Sequence, residues 1–216
     1  MALSKVNFNS LNVTPSASKA IKFNSNNNGL ETGDVGGALV FISEQTASSS
    51  SAISFTSGID STYKEYIFKF TDVHAANDQV HFQFNMSVDG GSNYNVTKTT
   101  TAFRAGNYEN DSSTAFSYLD SADLAQGTGF QNLEEGASMG NDNDQCCSGS
   151  LHLFDPSNTT FIKHFIARTR VEATFTTDGF VAGYANVTAA IDGVDFKFAS
   201  GNIDSGVIKM YGLSKS

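Results

Sequence analysis

The sequence predicts an all-β protein: an antiparallel, jelly-roll-like β-sandwich with an extended N-terminal arm. Three observations carry this prediction. Apolar side chains recur at every second residue through most of the chain from Ala38 onward, the period of a half-buried strand. Short clusters of Gly, Asn, Asp and Ser interrupt those stretches where turns are needed. The composition agrees, with 27 Ser, 19 Thr and 19 Asn supplying polarity while only 16% of residues are charged. Eighteen Phe and 7 Tyr supply a core, and 216 residues suffice for one large β domain plus an arm.

Residues 1–37 read as the arm. Its apolar positions are sparse and alternate in pairs, Leu11 with Val13 and Ile21 with Phe23, around Thr14-Pro15-Ser16 and the run Asn24 to Gly29. Such a segment cannot build its own core and must lie on another surface to be ordered. Leu11, Val13, Ile21 and Phe23 are therefore the candidate partner-binding residues. Alternating pairs suit strand addition to an exposed sheet edge.

The head, residues 38–216, opens with the apolar run Ala38 to Ile42 and then offers strands at Ala52–Thr56 and Glu65–Val73. The clearest strand is Gln79 to Asp89. Val80, Phe82, Phe84, Met86 and Val88 share one face, and His81, Gln83, Asn85, Ser87 and Asp89 share the other, which predicts a dry side and a wet side. The turn signal Asp89-Gly90-Gly91-Ser92 and the Thr-rich stretch Tyr94–Phe103 predict a hairpin with it. Residues 106–145 read as a long polar loop with one short helical candidate, Ser121–Gln126. Further strands are expected at Ser148–Asp155, Thr159–Ala167, Gly179–Ala185, Asp192–Ala199 and Ser205–Leu213. A lipocalin-like barrel is the alternative architecture, but the long central insertion suits a meander poorly.

Charge and cysteines exclude whole classes. The net charge of -9 leaves no basic cluster for phosphate neutralisation, so no nucleic-acid partner is expected. The longest apolar run is far short of a bilayer span, and the N-terminus carries no apolar signal segment, so no membrane partner or export is expected. The adjacent Cys146 and Cys147 do not suit a mutual disulfide and read as reduced thiols.

No catalytic, cofactor-binding or metal-binding residue is predicted. Asn141-Asp142-Asn143-Asp144 resembles part of a calcium loop but lacks the turn glycine and closing glutamate. Glu134-Glu135 beside Asp120 or Asp123 sets no carboxylate separation for glycoside hydrolysis. His74, His81, His152 and His164 fall at no metal-ligand spacing. Tyr94, Tyr108 and Tyr118 read as core or rim residues, with stacking on a sugar as the alternative.

Three stretches occur together: Ser57-Gly-Ile-Asp-Ser-Thr-Tyr-Lys-Glu-Tyr-Ile-Phe-Lys-Phe70, Val88-Asp-Gly-Gly-Ser-Asn-Tyr94 and Gly201-Asn-Ile-Asp-Ser-Gly-Val-Ile-Lys-Met-Tyr-Gly-Leu213. With the opening Met-Ala-Leu-Ser-Lys-Val, they resemble a family of tailed-bacteriophage virion structural proteins, of the decoration or tail-fibre-like kind found in marine phages and cyanophages. The resemblance implies a non-enzymatic virion component assembled in the bacterial cytoplasm. It further implies an arm docked on capsid or tail proteins, a displayed β-head and a homo-oligomer, commonly a trimer. The alternative function is a carbohydrate-binding sandwich holding a host-surface glycan.

Overall fold

A computed structural model describes residues 13–14, 19–34, 38–134, 138–172 and 175–214. The chain divides into two compact units, Met1–Ala38 and Leu39–Ser216.

In the first unit, β1 (Lys19–Phe23) and β2 (Leu30–Asp34) form an antiparallel hairpin. The Asn-rich run is its turn. Asn24 N donates to Gly29 O, Asn24 Oδ1 accepts the Asn28 N–H, and Asn27 sits at φ 54. Asparagine takes this left-handed conformation more readily than most residues because its side chain bonds the local backbone.

The second unit is an antiparallel β-sandwich of unequal sheets. The strands in chain order are β3 (Leu39–Ser50), β4 (Ile53–Phe55), β5 (Glu65–Ala75), β6 (Phe82–Ser87), β7 (Lys98–Tyr108) and β8 (Thr114–Tyr118). Then come β9 (Gln131–Asn132), β10 (Cys147–Phe154), β11 (Lys163–Val171), β12 (Phe175–Ala185), β13 (Gly193–Phe198) and β14 (Ile203–Leu213). An eight-stranded sheet runs β3-β14-β5-β10-β11-β12-β7-β8, and a four-stranded sheet runs β4-β13-β6-β9.

Aromatic side chains join the two sheets. Phe196 on β13 meets Phe68 on β5 with centroids 5.5 Å apart and Phe82 on β6 at 5.9 Å, and Phe84 meets Phe165 on β11 at 5.0 Å. All are fully or nearly fully buried. Stacked, tilted and edge-to-face pairs of this kind add to the area they remove from water.

Several expectations are corrected. The stretch Tyr94–Phe103 does not form a hairpin with the Phe82–Ser87 strand: β6 pairs with β13 and β9, whereas β7 pairs with β12 and β8 in the other sheet. The Asp89–Ser92 turn is real, with Gly90 and Gly91 at φ 69 and 85 and Asp89 Oδ1 accepting the Asn93 N–H. Both edges of β6 are occupied, so the chain crosses to the other sheet. Val88 lies beyond the last paired residue and is 37% exposed, not buried.

Asn85, expected on a wet face, is fully buried, and His81 and Gln83 are half-buried. Later segments lie over that face. Asn85 Nδ2 donates to Tyr94 O and Thr128 O, and Gln83 Nε2 donates to Asn132 Oδ1. The polar loop expected over 106–145 contains β8 and β9, and the helical candidate is only a 3-10 turn at Asp120–Ala122.

Candidate functional site

The hairpin carries two of the four arm residues singled out by sequence. Leu11 lies outside the described residues, and Val13 is half-buried and belongs to no strand. Cross-strand register places Phe23 opposite Leu30 and Ile21 opposite Thr32 on one face, and Lys22 opposite Glu31 on the other, 3.4 Å apart. Phe23 is 72% exposed, and Ile21 and Leu30 are exposed beside it. Leu30 was not singled out, although its spacing across the Asn run was a visible signal. Because β1 is paired along its length with β2, one of its two edges is already occupied.

In the head, the buried Glu134, Lys98 and Lys163 are engaged internally. Glu134, 1% exposed, accepts the Phe82 backbone N–H at 3.1 Å through Oε1, which also lies 3.0 Å from His81 Nδ1. Glu135 lies outside the described residues. Lys98 is fully buried: its Nζ donates to Asn85 Oδ1 at 2.6 Å and to Val96 O at 2.8 Å. Burial lowers its pKa from 10.5 to about 8. Lys163, also buried, donates to Val187 O and Ala189 O. Sequence reasoning missed both lysines, because alternation alone does not say which face of a strand is inward.

The remaining candidates are dispersed. Cys146 and Cys147 are free thiols, and burial raises the pKa of both. Asn141–Asp144 is exposed, with Asp142 O 3.1 Å from His74 Nε2. Among the described residues, no three His, Cys, Asp or Glu side chains group as a metal site would require. The tyrosines expected in the core or rim stand apart. Tyr94 is half-buried, Tyr108 is exposed and packs on Phe175 at 4.7 Å, and Tyr118 is 59% exposed with its hydroxyl on Asp123.

The most extended candidate surface is the outward face of the eight-stranded sheet, the face turned away from the small sheet. Register aligns Arg168 (β11) with Phe180 (β12) and Phe103 (β7), and Phe103 with Tyr118 (β8). The Arg168 guanidinium lies 5.0 Å over the Phe180 ring. Phe180 stacks on Phe103 at 4.8 Å and 6°, and Phe103 leans on Phe116 at 5.9 Å. Asp178 holds Arg168 in a two-pronged ion pair of 2.9 and 2.6 Å, and that hydrogen bonding holds the Asp178 carboxyl below its ordinary pKa. Both faces of Phe180 are thereby occupied by the chain's own side chains. Toward the opposite edge, Phe41 (β3) packs edge-on against Tyr211 (β14) at 5.7 Å, and Tyr211 is opposite Ile67 (β5). The small residues Ser150 and Ala182 lie between the taller Ile166, Arg168 and Phe180 and leave shallow depressions. What this arrangement offers chemically is apolar contact with a cationic and hydroxyl rim.

Comparison of the chain with protein-family models, with curated proteins and with solved structures returns no match in any of the three.

Proposed function

We propose that the protein is a non-enzymatic structural component of a tailed-phage particle, anchored by its N-terminal unit and displaying the β-sandwich head on the particle exterior. The observation that carries this reading is the hairpin face of Ile21, Phe23 and Leu30, apolar and exposed on a two-stranded ribbon. A ribbon of two strands is marginal in water by itself. Burying each of these side chains on a capsid or tail protein contributes about 1.5–3 kcal/mol towards docking the ribbon in an assembled particle. The resemblance of three head stretches to phage virion proteins supports the same location and a homo-oligomer.

The test is incorporation into particles. Deleting residues 1–38 or making Phe23→Asp should abolish loading while the purified head still folds. Loading of the truncated protein at wild-type stoichiometry overturns the reading.

The second reading, a glycan-binding module, is favoured by one observation: Phe116 and Tyr118 are 79% and 59% exposed side by side on the edge strand β8. Binding of the head to host surface polysaccharide, lost in Phe116→Ala, would support it.

A further inference from the structure

We infer that the outward face of the eight-stranded sheet is a self-association surface, and that its occupant is the same face of a second copy of this chain. This goes beyond particle attachment, which rests on the hairpin.

The first argument is the pattern of exposed apolar groups. The exposed ones are Phe41, Ile166 and Phe116, with the half-buried Tyr211, Phe180 and Phe103 between them and the buried Ile67 beneath, each on the outward side by register. Phe41 is 55%, Ile166 48% and Phe116 79% exposed, and no described element of the head covers them. Isolated surface apolar residues need no explanation, whereas a contiguous band marks an interaction site.

The second argument is charge. The chain carries -9, so two copies meeting across most of their surface repel. On this face Lys69, Arg168, Arg170 and Lys209 balance Glu44, Glu65, Asp72 and Asp178. Glu44 is paired with Lys209 at 3.0 Å and Asp178 with Arg168 at 2.6 Å, and Glu65 lies 2.6 Å from His152 Nδ1. A face of balanced charge on an acidic protein is the one across which two copies meet with least repulsion.

The third argument is area. Eight strands spaced about 4.8 Å apart make a face about 38 Å wide, and three outward residues per strand make it about 20 Å tall. The product, roughly 760 Å², is close to the ~800 Å² per partner of a stable interface. A face that meets itself is isologous and closes as a two-fold dimer, with the sheets about 10 Å apart and their side chains interleaved.

Sedimentation velocity of the full chain at micromolar concentration tests this. The expected species has twice the chain mass of 23.0 kDa. Ile166→Asp and Phe116→Asp should each raise the dimer Kd by roughly thirtyfold or more. Both sites are exposed, so the melting curve of each monomeric variant should retain the wild-type transition. Phe116 stands on an edge strand, so that variant serves even if Ile166→Asp folds poorly. A monomeric wild-type chain overturns the inference. So does an oligomer that both substitutions leave intact, including one that disappears only when residues 1–38 are removed. A chain that dimerises through this face but fails to load onto particles would refute the attachment reading and leave this one standing.

Discussion

Phe84 and Phe196 show how single side chains hold the sandwich closed. Phe84 projects from the small sheet onto Phe165 of the large one, with Phe196 6.5 Å away on the neighbouring strand. Phe84→Ala should therefore cost about 3–5 kcal/mol, read as a lowered urea midpoint with an unchanged slope. Lys98 makes the opposite kind of statement. Its folded-state pKa of about 8 lies below the ordinary 10.5, so the folded state disfavours the buried charge. Below pH 8 both folded and unfolded chains keep the proton, and the full cost is present. Between about 8 and 10.5 the folded chain has released a proton that the unfolded chain still holds, so stability rises with pH. Wild type should gain about 2 kcal/mol relative to Lys98→Met between pH 7.5 and 9.5, measured by urea denaturation at each pH. The variant is essential to the comparison because Lys163 also has a burial-lowered pKa, while burial raises those of Tyr66 and Tyr94.

At the scale of elements, strands with large apolar residues on alternate positions were legible, as in Glu65–Ala75 and Phe82–Ser87. β3 was not, because Leu39–Ser50 ends in Thr, Ala and three Ser and gives little periodic contrast. β8 and β9 lay hidden inside a polar stretch: each is short and depends on a neighbour already in place for its pairing. Packing between strands also exerts local control. Gly149 sits where the register of β10 against β5 shifts, and a Cβ there would lie 2.3 Å from Arg168 O and 2.8 Å from the Phe70 ring. The first of these is backbone held by the ladder, so Gly149→Ala should destabilise the head by about 1–3 kcal/mol, seen in a thermal melt.

For the whole molecule, the division into units at Ala38 and Leu39 predicts separable stability. Among the described residues, the buried apolar cluster is drawn from the head, from Ala47 to Met210. Removing residues 1–38 should leave the calorimetric midpoint and enthalpy of the head nearly unchanged. A clear fall in either would show that the first unit contributes to the head's fold. The sheet topology adds a kinetic expectation: β3 pairs with β14 and β4 with β13, joining the start of the head to its end. Such non-local pairing closes only after long loops are ordered, which places folding in the millisecond-to-second range of β-sandwiches.

The sequence by itself determined the all-β class, the sandwich and the position of most strands, because period-two alternation and turn residues are local signals. It also marked Ile21 and Phe23 as apolar positions in a segment too polar to core itself. Tertiary structure alone decided which strands are neighbours, that β6 and β7 belong to different sheets, and that Asn85, Lys98 and Glu134 are inside. Burial of a polar side chain depends on what covers its strand and on partners tens of residues away, and no local pattern encodes that. The outward face of the large sheet has the same origin. Its aromatics come from strands scattered between Leu39 and Leu213, and only the ladder's register gathers them into one surface.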